Sequence, residues 1–227
     1  MSQGPRRAPL PLPEVSPLPI PADFEARLAG LGVTLDDDAK TKLAAFLSLL
    51  LAMNERVNLT AITEPEAAWT RHALDALSLV PELAGLPRGA RVLDVGSGGG
   101  VPGIPLAIAR PDLRVTLLDA TEKKVAFMRA AAAKLELKNV DAVSGRAEEA
   151  KLGRVFDVVV ARAVAKIATL LGWTAPFAKK DGRLLFIKGE RADAELGEAK
   201  GALRRFRCEH ERTVLTPTGR VVVLRVG

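Results

Sequence analysis

The stretch RVLDVGSGGGVPGIPLAIA, residues 91–109, limits what this chain can fold into more than any other. A short β-branched run feeds a glycine cluster, and an apolar run of helical character comes after it. The local fold is therefore strand, ligand-hugging turn and helix. Val92, Leu93 and Val95 suit a strand buried on both faces. Gly96, Gly98, Gly99 and Gly100 let the backbone approach a ligand that any Cβ would push away. Asp94 is the one charge within residues 92–95. Its carboxylate either caps the turn through backbone N–H groups or reaches an ammonium group on the ligand.

The segment beyond that helix narrows the choice of ligand. Residues 113–118 read as a second buried strand ending on Asp119, roughly 20 positions beyond Gly96, where an acid can accept from two ribose hydroxyls. The alternative role for Asp119 is an N-cap for the helix over 121–135. A nicotinamide dinucleotide and S-adenosylmethionine both fit such a unit. The spacing of Gly96, Gly98 and Gly100 leans toward S-adenosylmethionine, because Val101 and Pro102 stand where a pyrophosphate turn would want a further small residue.

With 227 residues, 48% of them hydrophobic, the chain can hold one sizeable α/β domain and a small accessory unit. No apolar run reaches the ~20 residues needed to span a bilayer. Prolines interrupt the N-terminus where a signal-peptide core would lie, so a cytoplasmic protein is expected. A single cysteine, Cys208, excludes an intrachain disulfide and a cysteine-rich zinc site, and no metal is expected. The net charge of +6 is unevenly spread. Residues 23–87 carry 5 basic and 10 acidic side chains, and residues 178–227 carry 12 basic and 7 acidic. Any basic face for a polyanionic partner therefore belongs to the C-terminal third.

Residues 1–21 hold seven prolines together with Arg6 and Arg7, and read as a disordered or polyproline-like arm. Residues 22–87 form a helical subdomain in three pieces, expected to pack on the sheet and frame the ligand mouth. Asp36, Asp37 and Asp38 give its second helix a negative first turn. On the third, over 64–80, His72 and Asp75 share a face. Residues 88–227 alternate strand and helix, with strands over 139–144, 156–161, 183–187 and 221–226 and helices over 121–135, 167–177 and 190–206. This is a doubly wound, mostly parallel α/β sheet with a Rossmann-like order, and its ligands lie at the carboxyl ends of the strands. The polar stretches 145–148, 162–163 and 188–189 belong at those ends.

The segments NERVNLTAIT, RHALDALSL, VLDVGSGGGVPGIPLAI, LLDATEKKVAFMR, GRAEE, ARAVA and IKG occur in the order that marks one family. From about residue 22 onward the chain resembles the bacterial small-subunit ribosomal RNA guanine-N7 methyltransferases of the GidB (RsmG) type. Two departures are Met53, where the family often has an aromatic, and the absence of tyrosine. The resemblance implies a class I methyltransferase fold and methyl transfer from S-adenosylmethionine to N7 of guanine 527 in 16S rRNA, within the small subunit or an assembly intermediate of it. It implies that Gly96 and Val101 face the methionine part of the cofactor, with Asp94, Gly98 and Gly100 in the same turn. By the same resemblance Asp119 holds the ribose, Ala147 and Glu148 the adenine, and Arg162 the methionyl end or the incoming base. His72, Asp75 and Lys188 would line the RNA side. A monomer is expected.

Guanine N7 already carries an in-plane lone pair, so its methylation needs positioning rather than a general base. Arg162 or Lys188 can donate to guanine O6, while a salt bridge to Glu148 or a phosphate contact is the competing role. Cytosine-C5 chemistry would need a cysteine nucleophile, and Cys208 lies away from every strand end named above. Adenine-N6 enzymes carry a Pro-Pro-aromatic loop where this chain has Ala161, Arg162 and Ala163. A small-molecule methyltransferase and an assembly factor using the fold as a scaffold remain as alternatives.

Overall fold

The computed structural model describes residues 10–162 and 165–227. At its centre lie β1 (Arg91–Val95), β2 (Arg114–Asp119), β3 (Val140–Ser144), β4 (Phe156–Arg162), β5 (Ala178–Lys188), β6 (Cys208–Leu215) and β7 (Arg220–Val226). They form one sheet in the order β3-β2-β1-β4-β5-β7-β6. The first five are parallel, and the hairpin β6–β7 joins β5 antiparallel. The order reverses between β1 and β4, and the crevice outside their carboxyl ends is where such sheets bind ligands.

Register brings the expected polar stretches to that single edge. Val95 lies opposite Leu118 and Ala161, Asp119 opposite Ser144, and Arg162 opposite Ile187. Gly96, Asp119, Gly145, Arg162 and Lys188 therefore stand in a row. β6 is not among the strands expected from the sequence. Its residues, CEHERTVL, alternate but are largely exposed at the sheet's edge, so they carry little of the apolar signal that marks a strand.

Helices cover both faces. One layer is built on α1 (Phe24–Gly30), α2 (Asp37–Val57), α3 (Pro65–Ala68), a π-helical turn (Trp69–Leu74), α4 (Asp75–Leu77), α5 (Gly103–Ala109) and α6 (Glu122–Lys134). The other is α7 (Ile167–Thr174), α8 (Ala192–Glu198) and α9 (Lys200–Arg205). The helix expected over 190–206 is thus two short helices meeting at Ala199, between Gly197 and Gly201, where helix propensity is poorest. Asp36 caps α2 by accepting from Ala39 N at 2.8 Å. The N-terminal helices share one apolar core with the sheet, from Phe24 and Leu47 through Trp69 to Leu117.

The proline-rich arm departs from expectation. Residues 1–9, with Arg6 and Arg7, lie outside the described residues, but residues 10–21 are docked rather than disordered. Leu10, Leu12, Val15 and Leu18 pack on the core. Leu18 N donates to Ala44 O (3.3 Å), Ser48 Oγ to Ser16 O (2.6 Å) and Trp69 Nε1 to Pro19 O (3.0 Å). Extended, proline-stiffened backbone loses little entropy when it lies along a groove, which is why a segment so rich in proline can be held by its alternating apolar side chains.

Candidate functional site

The glycine turn is shaped by three positive φ angles: 72° at Gly96, 57° at Gly98 and 87° at Gly100. Side-chain-bearing residues adopt such angles poorly. Gly99 has a different reason to be glycine, since a Cβ there would lie 2.5 Å from Leu50 Cδ1 and 3.2 Å from Leu59 Cβ. The N-terminal unit therefore sits directly over the turn. Asn54 holds that cover in shape: its Oδ1 accepts from Leu59 N (2.7 Å) and Thr60 N (2.8 Å), beyond the left-handed Asn58 that ends α2. Met53 is buried in the same helix.

Asp94 is fully buried. Its Oδ2 accepts from Gly103 N at 2.9 Å, at the start of α5. Its Oδ1 has no hydrogen-bond partner among the described residues. Of the two roles expected for this carboxylate, one oxygen performs the cap and the other remains an acceptor for something else. Burial pushes its pKa up to about 7, against the lowering effect of the Gly103 N–H, the nearby Ser97 hydroxyl and the Arg162 charge; the Ser97 hydroxyl itself donates to the Asp94 carbonyl at 2.9 Å. Asp119 ties the edge together, accepting from Gly98 N and from Thr121 N, both at 2.8 Å, while its carbonyl takes Gly145 N. Thr121, not Asp119, is the N-cap residue of α6.

On the other side of the switch point stands Arg162, partly buried at the end of β4. Its Nη1 donates to Arg71 O at 2.8 Å. Burial pulls its pKa below the usual arginine range, while Asp94 and Asp75 act in the opposite direction. His72 and Asp75 are both buried, yet they are not hydrogen-bonded to each other. His72 Nε2 pairs with Thr60 Oγ1 (2.9 Å), and burial plus the charges of Arg162 and Arg71 push its pKa down to about 3. Asp75 accepts from Thr218 N (3.2 Å) and Thr218 Oγ1 in the β6–β7 turn, and burial raises its pKa.

Lys188 is likewise engaged. Its Nζ donates to Ala165 O (2.6 Å) and lies 2.8 Å from Glu195 Oε2, holding the segment after β4 against α8. Glu195 Oε2 also takes Ile167 N. Among the described residues no ion pair joins Glu148 to Arg162 or Lys188; Glu148 is exposed after β3, with Ala147 packed on the core of the second face. Ala163 lies outside the described residues. Asn54 stands in a polar stretch at a helix end where asparagine is expected as a cap or turn former, as it proves to be; two further supporting residues, Gly103 and Thr218, are not evident from the sequence. A proline-flanked Gly103 and the threonine pair of the C-terminal turn are the only local hints of the last two.

Cys208 begins β6 at the opposite edge of the sheet, buried, with its thiol pushed up to about 11 by that burial. It is no nucleophile. A cleft of about 750 Å³ also opens at that amino edge, lined by Asp36, Lys42, Arg88, Asp112 and Arg114 among others, far from the glycine turn. Among the described residues no helix is long and apolar enough to cross a membrane, and no cluster of His, Cys, Asp or Glu could hold a metal.

The edge as a whole combines positive-φ glycines, a buried acceptor without a hydrogen-bond partner among the described residues and an acid at the tip of the second strand. The family model for "GidB: rRNA small subunit methyltransferase G" matches residues 39–220. The chain belongs to this methyltransferase family. Its relatives include the ribosomal RNA small subunit methyltransferase G of Sorangium cellulosum, 52% identical over 96% of this chain and 93% of that one. The Methylobacillus flagellatus protein of the same name is 44% identical over 77% of this chain and 83% of its own. A solved SAM-dependent methyltransferase from Aquifex aeolicus superposes with a TM-score of 0.57 at 21% identity, covering 72% of this chain and 94% of that one, which shows the class I fold. The protein is thus an S-adenosylmethionine-dependent methyltransferase, and the expected sheet and cofactor are both confirmed.

Proposed function

We propose that the enzyme transfers the methyl group of S-adenosylmethionine to N7 of guanine 527 in 16S rRNA. Membership of the small-subunit rRNA methyltransferase G family supports the substrate class. The observation that carries the chemistry is the state of the two groups best placed to take a proton. His72 is held as a very weak base, and Asp75 is tied by both oxygens to Thr218 in the β6–β7 turn. An acceptor atom that already presents a lone pair suits such a site.

The chain's own residues then bind and orient. The Gly96, Gly98 and Gly100 backbone and Val101 hold the methionine part of the cofactor, Asp94 Oδ1 accepts from its ammonium, Asp119 from the ribose, and Ala147 and Glu148 flank the adenine. What the bound cofactor supplies is an electrophilic methyl on a sulfonium sulfur. Arg162 keeps N–H groups beyond the one used on Arg71, and one of these reads guanine O6 while N7 stays free. Lys188, His72 and Asp75 are positioning residues: each fixes a loop or turn that borders the mouth.

The test is transfer of labelled methyl to small subunits lacking their N7 methyl group, with the position mapped by borohydride and aniline cleavage. Cleavage at guanine 527 alone is the expected result. Incorporation elsewhere, or into small metabolites only, would overturn the substrate assignment, and tight cofactor binding without any transfer would favour a scaffold role in assembly.

A further inference from the structure

We propose that Arg71 is a substrate-binding residue whose guanidinium seats a backbone phosphodiester of the RNA beside the target nucleotide that Arg162 reads. The inference rests on the RNA substrate proposed above, and adds a residue and a ligand group to it.

Arg71 lies in the π-helical turn that borders the mouth, and its carbonyl is fixed to Arg162 Nη1 at 2.8 Å. Wide π turns inside α-helices are frequent at functional sites because they re-aim a side chain without ending the helix. The Arg71 side chain itself is exposed. Among the described residues no carboxylate lies within ion-pair distance of it. Four other exposed or part-exposed arginines are matched, Arg27 with Asp23, Arg212 with Glu82, Arg220 with Asp193 and Arg225 with Glu211, whereas Arg56, Arg88, Arg114 and Arg146 are exposed without an ion pair among the described residues, as Arg71 is; what sets Arg71 apart is its place beside Arg162.

The acids around Arg71 cannot serve it. Asp75 is engaged by Thr218, and Asp94 is buried beneath the turn. Arg71 acts on Arg162 as a like charge, and both act on His72. Residues 23–87 are otherwise acidic, with 10 acidic against 5 basic side chains. An exposed guanidinium without an ion-pair partner at the switch point, on the residue whose carbonyl holds Arg162, therefore leaves local positive charge that an anion would relieve. A planar fork suits the paired oxygens of a phosphodiester, a contact that positions RNA without reading its sequence.

The experiment measures methylation of small subunits and filter binding of small-subunit rRNA across a salt series, for the wild type, Arg71→Ala, Arg71→Glu and Arg71→Lys. Arg71→Ala is expected to raise KM for the RNA substrate about tenfold and lower the salt slope of binding by about one, with kcat and cofactor affinity little changed. Arg71→Glu should be worse, and Arg71→Lys should recover part of the loss. Unchanged KM and salt slope in Arg71→Ala, with an active wild type, would overturn this inference alone. Loss of cofactor affinity in step with KM would assign Arg71 to the cofactor's carboxylate instead. A wild type that neither binds nor methylates the RNA would overturn the substrate reading as well.

Discussion

At the scale of single residues, the site is governed by how burial sets charge. Asp94 has its folded pKa raised to about 7 from an unfolded value near 3.8. The folded state thus holds a proton that the unfolded state has released, and stability falls as pH rises from about 4 to about 7. Asp94→Asn keeps an acceptor for Gly103 N and removes the charge. The variant should unfold no more easily than the wild type at pH 8, yet bind S-adenosylmethionine about 10- to 100-fold more weakly, the worth of one charge-assisted hydrogen bond. Thermal melts and isothermal titration at pH 8 read both effects.

His72 works in the other direction. Its folded pKa, near 3, lies below the unfolded value near 6.5, so the unfolded chain takes up a proton that the folded chain refuses. Stability is complete above pH 6.5 and declines as pH falls toward 3. Replacing His72 with Gln should flatten the acid side of a melting-temperature profile. It should leave the pH dependence of methyl transfer above pH 6 unchanged, because the imidazole is already neutral there.

At the scale of elements, packing between strand tips and helix starts decides the geometry. α5 approaches β1 and β2 so closely that a Cβ on Gly103 would stand 2.1 Å from Leu117 Cδ2 and 2.9 Å from Asp94 Oδ2. Gly103→Ala should destabilise the fold by about 1–3 kcal/mol, the usual cost of overpacking. It should also weaken cofactor binding, since Asp94 must shift; denaturant titration and cofactor titration test the two together. The hairpin β6–β7 plays a comparable part from outside. Thr218 in its turn satisfies Asp75, and Arg212 in β6 pairs with the buried Glu82, which also lies 3.8 Å from Arg183. An edge hairpin thereby clamps the N-terminal helices to the sheet.

At the scale of the whole molecule, the docked residues 10–21 cross the helical layer and join distant parts of it, from Glu14 on Lys134 to Pro19 on Trp69. Truncation to residue 22 removes the Leu18, Ser16 and Pro19 hydrogen bonds and the four apolar side chains that pack on the core. The expected loss is ~2–4 kcal/mol, counting about 1 kcal/mol per bond and some burial, read as a lower urea midpoint. Cofactor affinity, measured where both forms are folded, should persist, because none of these contacts touches the glycine turn.

Local chemistry determined a great deal. The β-branched runs, the glycine spacing and Asp119 are near-neighbour patterns, and they were enough for the mostly parallel sheet and for narrowing the cofactor to two, with a lean toward S-adenosylmethionine. The segment order was enough for the family. Other features depend on residues far apart in the chain, and only the tertiary structure could decide them. The pairing of Asp75 with Thr218 rather than His72, the burial of Lys188 against Ala165 and Glu195, and the docking of a proline-rich arm are of this kind. So is β6, which is a strand because β7 offers it hydrogen bonds rather than because its own side chains demand burial. A carboxylate's role depends on which donors the fold brings within 3 Å, and those donors come from other elements.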